Sequence, residues 1–181
     1  MTLLLRLLAL TLPDAVKSRM LAQLAAATAD AFQRPSPDLR GLPFAERLRR
    51  YALFTRDEAE LSLRSGDADA VRARLHENAR RLGTQLRRSL RIRDIDQALA
   101  AGQALYRVIG IDLQPGARGQ VTVGSCYFAD FYSGPVCRLI SALDEGLFDG
   151  LSGGGRFEFS ERMTEGCEVC RARLQLEGAA R

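Results

Sequence analysis

The sequence predicts an α+β fold in which N-terminal helices pack against a β-β-α-β-β unit that forms a four-stranded antiparallel sheet. Up to about residue 105, apolar residues recur at the three- and four-residue spacing of amphipathic helices. In residues 106–176, two pairs of alternating segments flank one helical segment, so each pair should form a hairpin with one apolar face. We expect a helical half over 1–105 and an α+β half over 106–181, joined in one compact domain.

The first half should contain four helices. Proline, aspartate or a capping hydroxyl precedes each apolar stripe, and proline or glycine follows the first two of them. The clearest linker is Arg34-Pro35-Ser36-Pro37, because its prolines cannot continue a helical hydrogen-bond ladder. The predicted helices start near Thr11 to Asp14, Pro43, Asp67 or Asp69, and Asp94, and they end near Phe32, Gly66, Leu90 and Ala104.

The second half should contain four strands and one helix. Apolar and polar residues alternate in the strand segments, and Gly-rich or Pro-containing turns separate them. The predicted strands cover residues 106–113, 120–124, 156–163 and 167–176, and the predicted helix runs from Gly134 to Phe148.

An apolar run near the N-terminus, Leu3 to Leu10, is too short for a membrane span. Arg6 interrupts it, and no basic segment precedes it, so a secretory signal is not predicted either. We therefore expect no membrane span and a cytoplasmic location. In that reducing compartment, the four cysteines should be metal ligands, catalytic groups or core residues rather than disulfides.

The net charge of +4 does not by itself predict nucleic-acid binding. Lys17 is the single lysine, so the basicity reflects a compositional preference for arginine. Arginines flank the apolar stripe of the third helix, but no aromatic residues alternate with them, which favours a solvated face over a nucleic-acid surface. His76, the only histidine, should lie at the edge of that helix.

The candidate chemistry lies between residues 119 and 176. Cys137 and Asp144 are seven residues apart, two turns along one face of the predicted helix. Cys126 ends the preceding strand and Cys170 points inward from the last one, so these groups could converge between the helix and the sheet. A thiolate assisted by a carboxylate would make Cys137, Asp144 and Cys170 catalytic. In a ligand-binding pocket, the lining would include Tyr127, Phe128, Phe131 and Phe157.

Metal binding is an alternative. Cys126, Cys137, Cys167 and Cys170 could hold zinc or an iron–sulfur cluster, because Cys167-x-x-Cys170 has the spacing of a metal knuckle. On a regular strand, however, residues three apart point to opposite faces, so this site requires the turn at Gly166 to extend past Cys167. A functional cysteine without metal and plain buried cysteines are the other two interpretations.

Part of the second half resembles the L-2-amino-thiazoline-4-carboxylic acid hydrolase family. The matching features are Cys126-Tyr127-Phe128, a helix with Cys137 and Asp144, Phe159 to Met163, and Glu165-Gly166 before Cys170. The resemblance spans residues 106–176. It implies hydrolytic opening of a small cyclic thiazoline carboxylate, with Cys126, Cys137, Asp144 and Cys170 as the residues concerned.

The same layout is also similar to 4-vinyl reductase type ligand-binding domains. Glu161 and Cys170 match part of the ligand pattern of that family. This resemblance implies a pocket between helix and sheet for a small hydrophobic or aromatic molecule, in some members beside a cysteine-bound zinc. The expected partner is thus a small-molecule ligand, not nucleic acid, and a homodimer could form through the apolar N-terminus or an exposed sheet edge.

Overall fold

The computed structural model describes residues 13–176 and confirms the α+β class. Helices α1 to α4 come first, and an antiparallel sheet with two further helices follows. The helices are α1 (Asp14–Phe32), α2 (Phe44–Ser65), α3 (Ala68–Leu90), α4 (Ile95–Val108), α5 (Gly134–Ile140) and α6 (Ala142–Ser152). The strands are β1 (Ile111–Pro115), β2 (Gln120–Cys126), β3 (Gly155–Glu161) and β4 (Cys170–Leu176).

The ends of the helices follow the predicted signals closely. Pro13 immediately precedes α1, and Gly66 ends α2 in the left-handed conformation with φ +82°. The Asp94 carboxylate accepts a hydrogen bond from the Gln97 amide at 2.8 Å and so caps α4. The predicted capping hydroxyl of Thr11 and the apolar run from Leu3 to Leu10 lie outside the described residues.

Helix α4 is longer than predicted. The sequence suggested a strand from residue 106, but the helix continues through Val108 and β1 begins at Ile111. Gly110 separates them with φ +76°, a conformation that favours glycine and ends the helix. The apparent alternation after Tyr106 was the last turn of an amphipathic helix followed at once by a strand.

The predicted helix from Gly134 to Phe148 is two helices, α5 and α6, which meet at Ser141. The Ser141 hydroxyl donates a hydrogen bond to the Arg138 carbonyl at 2.9 Å, which competes with the regular ladder of the helix. The last strand also starts later than predicted. A short 3₁₀ turn, Met163–Glu165, and Gly166 with φ +92° precede Cys167, and β4 begins only at Cys170.

The strand order of the sheet is β1-β2-β4-β3, and all neighbours are antiparallel. One face carries buried side chains such as Leu113, Val121, Phe157 and Leu174, and α4 and α6 pack on it. Residues of both halves of the sequence contribute to a continuous hydrophobic cluster, from Leu21 in α1 to Leu174 in β4. The sheet therefore shares its core with the N-terminal helices.

Helices α3 and α6 approach each other at backbone distance. Three glycines form the contact: Gly83 on α3, and Gly146 and Gly150 on α6. A Cβ atom at Gly146 would lie 2.0 Å from the His76 carbonyl oxygen, and one at Gly150 would lie 2.2 Å from that of Arg80. Only glycine permits this close packing.

The arginines along α3 make contacts within the chain. Arg80 and Arg81 both pair with Glu77 at 2.8 Å, and Arg87 donates to the Leu151 carbonyl at 3.2 Å. His76 lies at the helix edge, 3.8 Å from the Asp149 carboxylate. None of the helices in residues 13–176 has the length and apolar character that a membrane crossing requires.

Candidate functional site

A cavity of about 350 Å³ lies among α1, α3, α4 and the α5–α6 pair. Most of its wall consists of aliphatic and aromatic side chains. Its lining includes Met20, Leu21 and Leu24 of α1, Leu82 and Leu86 of α3, Leu105 and Ile109 of α4, and Ile140, Leu143 and Leu147 of α5 and α6. The sequence placed the pocket between the predicted helix and the sheet, but the sheet contributes only Ile111 and Cys126, at the ends of β1 and β2.

Asp144 is the charged residue of the cavity. It belongs to α6, and the Tyr106 hydroxyl on α4 donates a hydrogen bond to its Oδ1 atom. Asp144 is partly buried and lines the cavity. Burial raises the pKa of Asp144 to about 7, although the hydrogen bond from Tyr106 and the positive charge of Arg162 lower it.

Three tyrosines and Phe128 surround this polar end. The hydroxyl of Tyr51 lies 3.0 Å from that of Thr28, and the hydroxyl of Tyr132 is hydrogen-bonded to Thr55. Burial raises the pKa of Tyr51, Tyr106 and Tyr132 above the ordinary value, so all three are neutral hydrogen-bonding groups. Edge contacts and tilted contacts link the rings of Tyr51, Phe128 and Tyr132, which therefore form one aromatic cluster.

Two of the predicted cysteines, Cys126 and Cys137, line the cavity together with Asp144. Burial raises the pKa of Cys126 to about 12, and it also raises the pKa of Cys137 and of Cys170. Cys170 lies in the core, where its Sγ atom accepts a hydrogen bond from the Met163 amide at 3.4 Å. Burial therefore disfavours, at all three positions, the thiolate that a nucleophile requires.

We expect Cys126 to react slowly with alkylating reagents. At pH 7.5, a thiol of pKa about 12 is ionised roughly 3,000-fold less than an ordinary cysteine of pKa ~8.5. Labelling with iodoacetamide and peptide mass spectrometry should therefore show Cys126 alkylation in the native protein at least about 100-fold slower than in urea. Equal rates in the two states would mean that Cys126 is accessible and ionises like an ordinary cysteine.

The structure does not assemble the predicted metal site. In the described part of the chain, no group of three or more His, Cys, Asp or Glu side chains is placed to hold a metal ion. The sheet register explains the separation of two of the proposed ligands. Cys170 pairs with Val123, and Cys126 lies three residues further along β2, about 10 Å at the usual rise per residue. Cys167 lies in the turn before β4, so the turn does extend past it, but Cys126 and Cys137 do not complete a site with it.

Of the four predicted aromatic lining residues, Phe128 faces the cavity. Tyr127 packs against Phe128 and Phe131, and Phe157 stacks on Phe148 in the core at a ring distance of 4.3 Å. Sequence reasoning missed Tyr106 because residue 106 was assigned to a strand. It missed Tyr51 because this residue is part of the apolar stripe of α2, where its spacing is that of an ordinary core residue.

No family model, curated protein or solved structure matches the chain. The functional argument therefore rests on the cavity and its polar groups.

Proposed function

We propose that this protein binds a small, mainly apolar molecule in the cavity, the kind of function that the resemblance to 4-vinyl reductase type domains implies. The supporting observation is a cavity of about 350 Å³ with mostly apolar walls and one buried polar cluster at Asp144 and Tyr106. Ligand sites usually combine these features, and their volumes start at about 300 Å³. About a dozen water molecules occupy the same volume in the liquid, at ~30 Å³ each.

The chemistry of the thiols favours binding over hydrolysis. Hydrolytic opening of a thiazoline ring by Cys137 or Cys170 requires a deprotonated thiol or an adjacent base. Burial raises the pKa of both thiols, and His76 lies on α3 beside Asp149 instead of beside a cysteine, which leaves Asp144 as the base in the cavity with Cys137. The hydrolase function remains a prediction from the family resemblance.

The apolar walls can supply the affinity. Burial of about 250 Å² of apolar ligand surface contributes roughly 6 kcal/mol at 25 cal/mol/Å². A gain of about 6 kcal/mol by itself corresponds to a Kd of about 40 μM, and association consumes part of it, so a simple apolar probe should bind in the submillimolar to millimolar range. A negative heat-capacity change should accompany its binding.

Calorimetric titration with 1-octanol tests this proposal. Leu86 lines the cavity from α3, and Leu86→Trp should fill part of the space and weaken 1-octanol binding at least about tenfold. Leu61→Trp is the matched control, because Leu61 is 40% exposed on α2 and does not line the cavity. The control should bind 1-octanol like the wild type.

Two results would count against binding in this cavity. One is the absence of saturable 1-octanol binding to the wild type. The other is equal weakening by Leu86→Trp and Leu61→Trp, which would place the bound alcohol elsewhere on the protein.

A further inference from the structure

We propose that the ligand is an apolar amine, whose protonated nitrogen binds the Asp144 carboxylate at the polar end of the cavity. This inference rests on the proposed function and specifies the ligand class. Its basis is the charge of the lining. Within the described part of the chain, no arginine, lysine or histidine lines the cavity, whereas Asp144 does.

Asp144 retains the capacity to bind such a group. A carboxylate offers about four acceptor positions, and the hydrogen bond from Tyr106 uses one of them, at Oδ1. Asp144 is only partly buried and is one of the residues that line the cavity, so a ligand in the cavity can reach it. An ammonium group there would donate charge-assisted hydrogen bonds, which are stronger than those of a neutral hydroxyl.

The aromatic residues around Asp144 favour the same class of ligand. Tyr51, Tyr106, Phe128 and Tyr132 all line the cavity. Their ring faces carry partial negative charge and attract cations, more strongly where water is excluded. A positively charged nitrogen with an apolar body would thus find favourable contacts at both of its ends.

A carboxylate ligand fits less well. Its charge would repel ionised Asp144, and Arg162, whose positive charge acts on Asp144, does not line the cavity. Arg162 packs over the Phe159 ring at 4.8 Å and donates to the Ser141 hydroxyl at 3.2 Å. A neutral alcohol would keep the apolar contacts but lose the charge interaction.

Three probes with the same eight-carbon chain separate these cases: octylamine, 1-octanol and octanoate. They should be titrated calorimetrically at pH 8, where Asp144, with its pKa of about 7, is mostly ionised. We expect octylamine to bind at least about tenfold more tightly than 1-octanol, as a hydrogen bond to a charged partner implies, and octanoate to bind most weakly.

Two variants test the role of the carboxylate. Asp144→Asn keeps the shape and removes the charge, so it should weaken octylamine binding at least about tenfold and leave 1-octanol binding within about threefold. Tyr106→Phe keeps the carboxylate and should retain the preference for octylamine over 1-octanol. Circular dichroism would show that both variants are folded, and the order of the three probes on the wild type tests the proposal independently of either variant.

The possible failures are distinguishable. If 1-octanol or octanoate binds the wild type as tightly as octylamine, the amine proposal is overturned while binding in the cavity stands. If Asp144→Asn retains the preference for octylamine, Asp144 is not the partner of the nitrogen. If none of the three probes binds, both this inference and the proposed function are overturned.

Discussion

Gly146→Ala is expected to lower the free energy of unfolding by about 3 kcal/mol or more, at the upper end of the usual cost of overpacking. The new methyl carbon would lie 2.0 Å from the His76 carbonyl oxygen and 2.8 Å from the carbonyl carbon. Both atoms belong to the backbone of α3, so no side-chain rotation can relieve the contact. The helices would have to separate, which would disturb other contacts along their interface.

The sign of this effect is diagnostic. Alanine in a helix interior normally makes a protein more stable than glycine does, by about 0.5–1 kcal/mol. Helix propensity therefore predicts that Gly146→Ala raises the free energy of unfolding, whereas the close packing of α3 and α6 predicts that it lowers it. Gly150→Ala should behave in the same way, since its methyl carbon would lie 2.2 Å from the Arg80 carbonyl oxygen. Urea unfolding followed by circular dichroism measures both variants.

Arg88→Ala is the matched control, because Arg88 is exposed near the end of α3. It should change the free energy of unfolding by no more than about 0.5 kcal/mol. Wild-type stability of Gly146→Ala would contradict the close packing of α3 and α6. These helices form two walls of the cavity, so a destabilised variant that remains folded should also bind 1-octanol more weakly than the wild type.

Much of the fold could be predicted from local patterns. The apolar stripes of α1 to α3 and the turn residues between strands identify most of the elements, because each pattern reflects a face that must be buried. The boundaries at Val108, Ser141 and Cys170 could not be predicted. They depend on single hydrogen bonds and glycine conformations that do not change the spacing of apolar residues.

The site was only partly predictable for a different reason. The spacing of Cys137 and Asp144 on one predicted helix, with Cys126 entering it, grouped three residues that line the cavity, but the same prediction included Cys170, which lies in the core. The other walls come from α1, α3 and α4. An apolar stripe that lines a cavity has the same pattern as one that packs against a neighbouring helix, so the sequence cannot tell which of them leaves a space.

The glycines of the α3–α6 contact show the same limit. Gly146 lies within the predicted helix and Gly150 lies beyond its predicted end, although both belong to α6, where each glycine costs about 1 kcal/mol relative to alanine. The helix that they contact includes Gly83, more than 60 residues earlier in the chain, and no local pattern connects them. Only the tertiary structure reveals that these two helices are in contact.

Asp144→Asn is expected to stabilise the protein at pH 8 by up to about 4 kcal/mol and to have little effect at pH 4. The pKa of Asp144 is raised from 3.8 to about 7 in the folded state, so between these values the folded protein binds more protons than the unfolded chain. The contribution of Asp144 to the free energy of unfolding is therefore fully present below about pH 4 and is lost as the pH rises through 7. A shift of about three pKa units corresponds to about 4 kcal/mol in the free energy of unfolding, at ~1.4 kcal/mol per unit.

Several neighbours set the size of this effect. Glu145 on the same helix raises the pKa of Asp144, whereas the hydrogen bond from Tyr106 and the charge of Arg162 lower it. Buried groups that remain neutral complete the surroundings. They are Tyr51 of α2, Cys126 of β2, Cys137 of α5 and Cys170 of β4. Tyr106→Phe removes one of the lowering contributions, so it should raise the pKa of Asp144 above about 7.

Urea unfolding of the wild type and Asp144→Asn at several pH values from 4 to 8 measures the effect as a difference, so titration of other groups largely cancels. The difference in the free energy of unfolding between Asp144→Asn and the wild type should widen with pH, most steeply between about pH 4 and pH 7. A constant difference in the free energy of unfolding would mean that Asp144 titrates like an exposed carboxyl.

A difference that widens with pH has a consequence for binding. The ionised carboxylate then destabilises the ligand-free folded protein, so a bound cation that pairs with it should stabilise the folded state. Octylamine should then narrow the difference at pH 8, and 1-octanol should not.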